Sequence, residues 1–210
     1  MPQRRPTHNG GIMRALAINA SPRKNSNTGI LIDHVLQPLK EAGWDTEIIK
    51  IGAKPMRGCI ACMQCVQRKD NRCSITTDAL NDIFLQMVEA DAIILGTPTY
   101  YTDVTAELKA LIDRAGFVAQ ANGRAFAGKI GAGVMAVRRA GATHALDSIN
   151  HFFLISNMVV PGSRYWNMGY GLHEGDVKND EEGLANMTNL GEMIAWLGKC
   201  MHPNMGTFPK

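Results

Sequence analysis

No stretch of this chain is long enough to cross a bilayer. The longest apolar runs, AIIL at 92–95 and FFLI at 152–155, fall far short of the roughly 20 residues that a spanning helix needs. Charge of one sign is scarce too. The net charge of +3 is too small to draw the chain to a nucleic-acid backbone, and no basic, aromatic-studded segment argues for that role. The opening residues, MPQRRPTHNGGI, lack the apolar stretch of a secretory signal. Residues 1–12 read as a disordered leader, with the core pattern beginning at Met13. Internal repeats and low-complexity linkers are missing. The 210 residues, 45% of them hydrophobic, therefore suit one domain over 13–202 and a short tail over 203–210. The expected compartment is the cytoplasm.

What the chain does have is cysteine in one place. Residues 57–73 read RGCIACMQCVQRKDNRC and hold four of the five cysteines: Cys59, Cys62, Cys65 and Cys73. In a reducing compartment such density points to a metal or redox site rather than a disulfide framework.

Around that segment short apolar runs alternate with helical periods. RALAINA (14–20), TEIIKI (46–51), AIILGTP (92–98), KIGAGVMAV (129–137) and MVV (158–160) read as buried strands. Helical faces are carried by Leu31, Val35, Leu39 and Ala42, then by Leu80, Ile83, Phe84, Met87 and Val88, then by Leu108, Leu111, Ile112 and Ala115. Two more helices follow, one over 142–157 and a last one with Leu184, Met187, Ile194 and Leu197 inward. The cysteine segment, within 55–76, interrupts the alternation as a long loop. Strands alternating with helices imply an α/β fold: a doubly wound, five-stranded parallel sheet in three layers. Such sheets bind ligands at the carboxyl ends of their strands, where strand order reverses. The loops 20–28, 97–104 and 138–143 are therefore the candidate site.

The first loop, ASPRKNSNTG, joins a strand to a helix and gathers Ser21, Arg23, Ser26, Asn27 and Thr28 around a helix N-terminus, the setting of a phosphate nest. It lacks both the GK[ST] ending of an ATP-type loop and the GxGxxG of a dinucleotide fold. Gly131 and Gly133 lie inside a strand and read as close backbone packing. The third-strand loop offers Tyr100 and Tyr101 beside Thr97, Thr99 and Thr102, suited either to a planar heterocycle or to a half-buried rim. The fourth-strand loop adds Arg138, Arg139 and Gly141; the arginines suit either a solvated surface or an anionic reduced ligand.

SPRKNSNT after the first strand, GTPTYYTDVTAELKALIDR after the third and the compact cysteine set resemble the iron–sulfur flavoproteins. These lie within the flavodoxin-like NAD(P)H-dependent FMN reductases. The resemblance covers roughly 13–200 and implies a flavodoxin-like fold. It implies FMN with its phosphate at Ser21, Arg23, Ser26, Asn27 and Thr28, and its ring against Pro98–Thr102 and Arg138–Gly141. It also implies a [4Fe–4S] cluster on Cys59, Cys62, Cys65 and Cys73, and a homodimer or homotetramer. Tyr165 and Trp166 are further candidates to cover the flavin.

The cysteines on their own leave the cargo open. A C-x2-C-x2-C run supplies three thiolates from one turn and Cys73 a fourth, whereas structural zinc usually draws on two separated pairs. A redox pair, or no metal at all, stays compatible with the spacing. The expected function is a redox flavoprotein moving electrons from a ferredoxin-like donor or NAD(P)H to a small-molecule acceptor. The alternative is an NAD(P)H-dependent FMN or quinone reductase whose cysteines hold nothing.

Overall fold

The structure, a computed structural model, describes residues 11–209; the expected leader, apart from its last two residues, lies outside them. The described strands are β1 (Arg14–Asn19), β2 (Asp45–Lys50), β3 (Ala92–Pro98), β4 (Ile130–Val137) and β5 (Met168–Tyr170). They form one parallel sheet of order β2-β1-β3-β4-β5. The central strands β1, β3 and β4 are almost wholly buried, because parallel crossovers put helices on both faces.

The helices are α1 (Asn27–Glu41), α2 (Gln64–Arg68), α3 (Leu80–Glu89), α4 (Ala106–Ala121), α5 (Ala142–Ile155) and α6 (Glu181–Met201). Helices α1 and α6 share one core with Leu31, Val35, Leu39, Met187, Leu190 and Ile194. The core on the opposite face is filled from α3, α4 and α5, with Phe84, Phe126, Phe152 and Phe153 in successive ring contacts. A Cβ on Gly131 would strike the Phe153 ring, and one on Gly133 would strike Leu146. The two strand glycines are thus packing positions, as the sequence suggests.

Two features differ from the sequence reading. The fifth strand is Met168–Tyr170, not 158–160. Val159 makes only a single bridge, to Ile130, before the chain leaves the sheet edge and rejoins it where Met168 pairs with Met135. The residues expected to form a plain tail from 203 belong to a 3-10 helix, His202–Thr207. Met205 there, and Phe208 just after it, pack over Gly128.

The strand order reverses between β1 and β3, which splay their connections to opposite faces. Loops 20–28 and 97–104 leave the carboxyl ends of those two strands, and 138–143 leaves β4 beside them.

Candidate functional site

The first loop is organised by the start of α1. Ser26 caps the helix by accepting from the Gly29 N–H (3.0 Å) and from Asn19 Nδ2 (3.4 Å). Among the described residues the backbone N–H groups of Arg23, Lys24, Asn25, Asn27 and Thr28 have no acceptor. The Thr28 hydroxyl is buried without a partner. A buried, unpaired hydroxyl beside several free N–H groups at the positive end of a helix has the donor chemistry that suits an anion. Ser21 is buried at its edge.

Arg23 and Asn27 do something the sequence did not signal. Arg23 Nη1 donates to the Leu172 carbonyl (2.7 Å), and Asn27 Nδ2 to that of His173 (2.9 Å). Asn27 Oδ1 accepts from Gly175 N–H (2.9 Å). Both side chains therefore latch the loop after β5 over the nest. Asp176 fastens the same loop from within, accepting from the N–H groups of His173 (2.7 Å) and Leu172 (3.1 Å). The His173 N–H leads the causes that hold its carboxyl below the usual carboxylate range.

The third-strand loop is a tight turn. Tyr100 and Asp103 exchange both backbone hydrogen bonds (2.9 and 3.0 Å), and the two residues between them, Tyr101 and Thr102, have φ of 49° and 66°. A two-residue hairpin asks for positive φ at both central positions, normally met by Asn or Gly. Here a Tyr and a β-branched Thr meet it at a cost in strain, which marks functional loops more than structural ones. The turn holds Tyr101 fully out in solvent and Tyr100 half-exposed. Pro98 ends β3, and Thr99 donates its N–H to the Ala136 carbonyl (2.9 Å) while its buried hydroxyl has no partner. Gly141, with φ +89°, meets this turn: a Cβ there would lie 2.9 Å from Thr102 Cα. The expected ring-side loops are thus in contact, with Arg138 and Arg139 exposed beside them. Tyr165 and Trp166 stack edge-on to each other, with ring centroids 4.7 Å apart, on the excursion before β5.

The chain leaving β2 packs hard against the first loop, since Gly52 has no room for a Cβ beside the Ser21 backbone, and the cysteine segment follows. It then runs along α4. Ala61, Met63, Lys69 and Asn71 all adopt left-handed φ between 51° and 60°, and the short helix α2 sits among them. Alternation of left- and right-handed residues turns backbone N–H groups to one side, a concavity common at phosphate and iron–sulfur sites. Cys59, Cys62, Cys65 and Cys73 line one cavity of about 30 Å³, closed by Ile75, Arg114 and Phe117.

The four thiols are held unequally. Cys59 Sγ accepts only the Ala61 N–H (3.4 Å). Cys62 lies 3.0 Å from the Ser74 hydroxyl, which pulls its thiol pKa down. Burial pushes the Cys65 thiol up. Cys73 is fixed by α3: Asn81 Oδ1 accepts its N–H (2.7 Å) and Asn81 Nδ2 donates to its carbonyl (3.1 Å). Among the described residues no three His, Cys, Asp or Glu side chains converge tightly enough for a single ion. A four-iron cube makes a different demand, because each iron takes its own thiolate and the ligands surround a volume. Four thiols lining one cavity supply the ligand type and number that a cube draws on.

Sequence reasoning missed Arg114, Asp78 and Asn81. Arg114 is fully buried on α4 and bonds Asp78 Oδ2 at 2.5 Å. It also donates to the carbonyls of Arg57 (3.0 Å) and Ile75 (3.1 Å) and to Cys73 Sγ (3.3 Å). Burial by itself would raise the Asp78 carboxyl, but hydrogen bonds from Arg114 and from the Arg57 and Leu80 N–H groups outweigh it and leave it lowered.

Residues 13–173 match the NADPH-dependent FMN reductase family. An iron–sulfur flavoprotein of Methanocaldococcus jannaschii is 36% identical over 195 residues, covering 87% of this chain and 96% of its own. Another, from Methanosarcina thermophila, is 32% identical and covers 71% of this chain and 78% of its own. Among solved structures, RosB with a bound riboflavin-phosphate intermediate superposes with a TM-score of 0.71 at 16% identity, over 91% of this chain and 81% of RosB. An archaeal flavodoxin does so at 0.58 and 17% identity, over 89% and 99%. The structural likenesses establish the flavodoxin-like fold, and the family match adds a flavin-linked oxidoreductase function. The chain belongs to the NADPH-dependent FMN reductase family and, within it, to the iron–sulfur flavoproteins.

Proposed function

We propose that this protein passes electrons between a one-electron carrier and a two-electron acceptor, using FMN at the switch point and a [4Fe–4S] cluster on Cys59, Cys62, Cys65 and Cys73. The observation that carries the reading is the lining of one cavity by all four thiols, in a chain that also holds a nest of free N–H donors at the start of α1. Bound FMN would supply one- and two-electron chemistry and the cluster one-electron chemistry.

The chain's own residues do the binding and the steering. The N–H groups of Arg23 to Thr28, with the Thr28 hydroxyl and Ser21, receive the phosphate. The Ser26 cap and the Asn27 latch keep helix and covering loop in place around it. Pro98, Thr99, Tyr100, Tyr101 and Thr102 border the ring, held in register by contact with Gly141. Arg138 and Arg139 offset negative charge on the reduced ligand. Exposed Lys69 and Arg72, next to the Arg68–Asp70 ion pair, form a positive collar that would steer an acidic ferredoxin-like donor. Exposed Phe117, Leu154 and Ile155 support assembly as a homodimer or homotetramer.

A second reading, an NAD(P)H-dependent FMN or quinone reductase with no cluster, is favoured by the exposure of Cys59 and Cys62. Anaerobic purification followed by iron, flavin and absorbance analysis decides between them. The expected result is about four irons per chain and a broad shoulder that dithionite bleaches. Background iron with FMN intact and rapid NADPH oxidation would establish the second reading instead.

A further inference from the structure

We propose that Arg114 sets the reduction potential of the cluster by donating its Nε–H to the sulfur of Cys73. The inference rests on the cluster reading above and adds to it a residue outside the ligand set.

A structural role explains most of this guanidinium. Nη1 and Nη2 join residue 57, before the cysteines, to residues 75 and 78, after them, so Arg114 ties the two ends of the cysteine segment together. The Nε contact with Cys73 Sγ, at 3.3 Å, is left unexplained by that role. Cys73 needs no help to hold its place, because Asn81 already grips both its N–H and its carbonyl.

The chemistry of the contact is specific. Arg114 is fully buried, and burial opposes its charge. A guanidinium stays protonated even there, and Asp78 balances its charge through Nη1. Hydrogen bonds to the sulfurs and local charge are among the terms that set an iron–sulfur potential. A buried N–H aimed at a ligand sulfur stabilises the more negative, reduced cluster and so raises the potential. Asp78 bonds the opposite branch of the guanidinium, through Nη1. Its negative charge works the other way and lowers the potential.

The two residues therefore have opposite effects, which a purely structural pair would not show. The test is a redox titration of anaerobically purified holoprotein, following the cluster by electron paramagnetic resonance and the flavin by absorbance in the same sample. Removing the pair as Arg114→Met with Asp78→Leu avoids a bare buried charge. The loss of the N–H on the sulfur itself should outweigh the loss of the more distant Asp78 charge, so we expect a net shift of the cluster's reduction equilibrium of about tenfold toward the oxidised form, about 59 mV for one electron, with the flavin potential unmoved. Arg114→Lys, which keeps charge but not the Nε–H, should recover part of the shift. Asp78→Asn should move the cluster in the opposite, upward direction.

A cluster potential that stays put in iron-replete variants overturns the assignment, as does a downward shift in Asp78→Asn. Should the position-114 variants lose their iron, Asp78→Asn carries the test alone, and an unmoved potential there is equally fatal. Iron analysis of the wild type precedes all of this. Iron-free wild-type protein sinks the cluster reading itself, and that failure is distinct from a cluster present but indifferent to Arg114.

Discussion

The phosphate nest sits at the start of α1 and the cysteine cavity along the second half of α4, and the two are made in different ways. The nest is a by-product of the fold: any strand that turns into a helix leaves N–H groups unpaired, and here Ser26, Asn27 and Arg23 only fix the surroundings. Its donors are in place before any ligand arrives. The cysteine cavity is anchored on one side. Cys73 is bolted to α3 and α4, whereas Cys59 and Cys62 are exposed on a loop of left-handed residues with few contacts. The first site is preorganised; under the proposed reading the second would draw part of its order from the cluster, as ligand thiolates commonly do.

The sharpest way to break this contrast is to remove the anchored ligand. Cys73→Ser should drop iron from about four per chain to background while FMN stays stoichiometric, as read by metal and flavin analysis. If FMN leaves as well, the two sites are not independent. A smaller effect is expected in the nest. Thr28→Val removes the buried, unpaired hydroxyl without changing shape, and should weaken FMN binding by about 1.5–3 kcal/mol, roughly 10- to 100-fold. Equilibrium dialysis of the apoprotein measures this, and unchanged affinity would remove Thr28 from the phosphate's partners.

The smallest effect is in pH dependence. Asp176 has a lowered carboxyl pKa in the folded protein. Its contribution to stability is therefore present above the unfolded value of about 3.9 and is lost as pH falls through the folded one. The Tm of wild type should exceed that of Asp176→Asn near neutrality, and the gap should close as pH drops below about 4. A gap that persists in acid would mean the loop is held by something other than this charge.

Those contrasts also explain what could be read from the sequence. Strands β1, β3 and β4 and the helices α1, α3, α4, α5 and α6 were legible because burial writes apolar runs and clean helical periods; β2, half-exposed at the sheet edge, was legible from its short β-branched run. The candidate loops followed from strand order alone. The fifth strand was misplaced because MVV carries the strand signal, while the ladder is made by MGY after an excursion at the sheet edge. Arg114 was missed because a charge reads as surface. Its signal was present: it falls three residues after Leu111 and four before Val118, inside the apolar stripe of α4. A charged residue at such a position has to find partners, and its partners here are Asp78 and a cysteine. Asn27 was legible as a nest residue but not as a latch, because the loop it grips lies 146 residues away.

The interrupted edge at Val159 and Met168 bears on how the protein behaves at high concentration. An open parallel sheet exposes two rows of unpaired backbone groups, each a template for a stray strand. On one side β2 answers with charge, carrying Asp45, Glu47 and Lys50 within six residues. On the other side the ladder is cut in two, and neither piece offers the continuous, flat stretch that a second chain would need to align with. Closing that gap, by shortening the excursion until residues 159 and 168 join one strand, would turn a self-limiting edge into a sticky one.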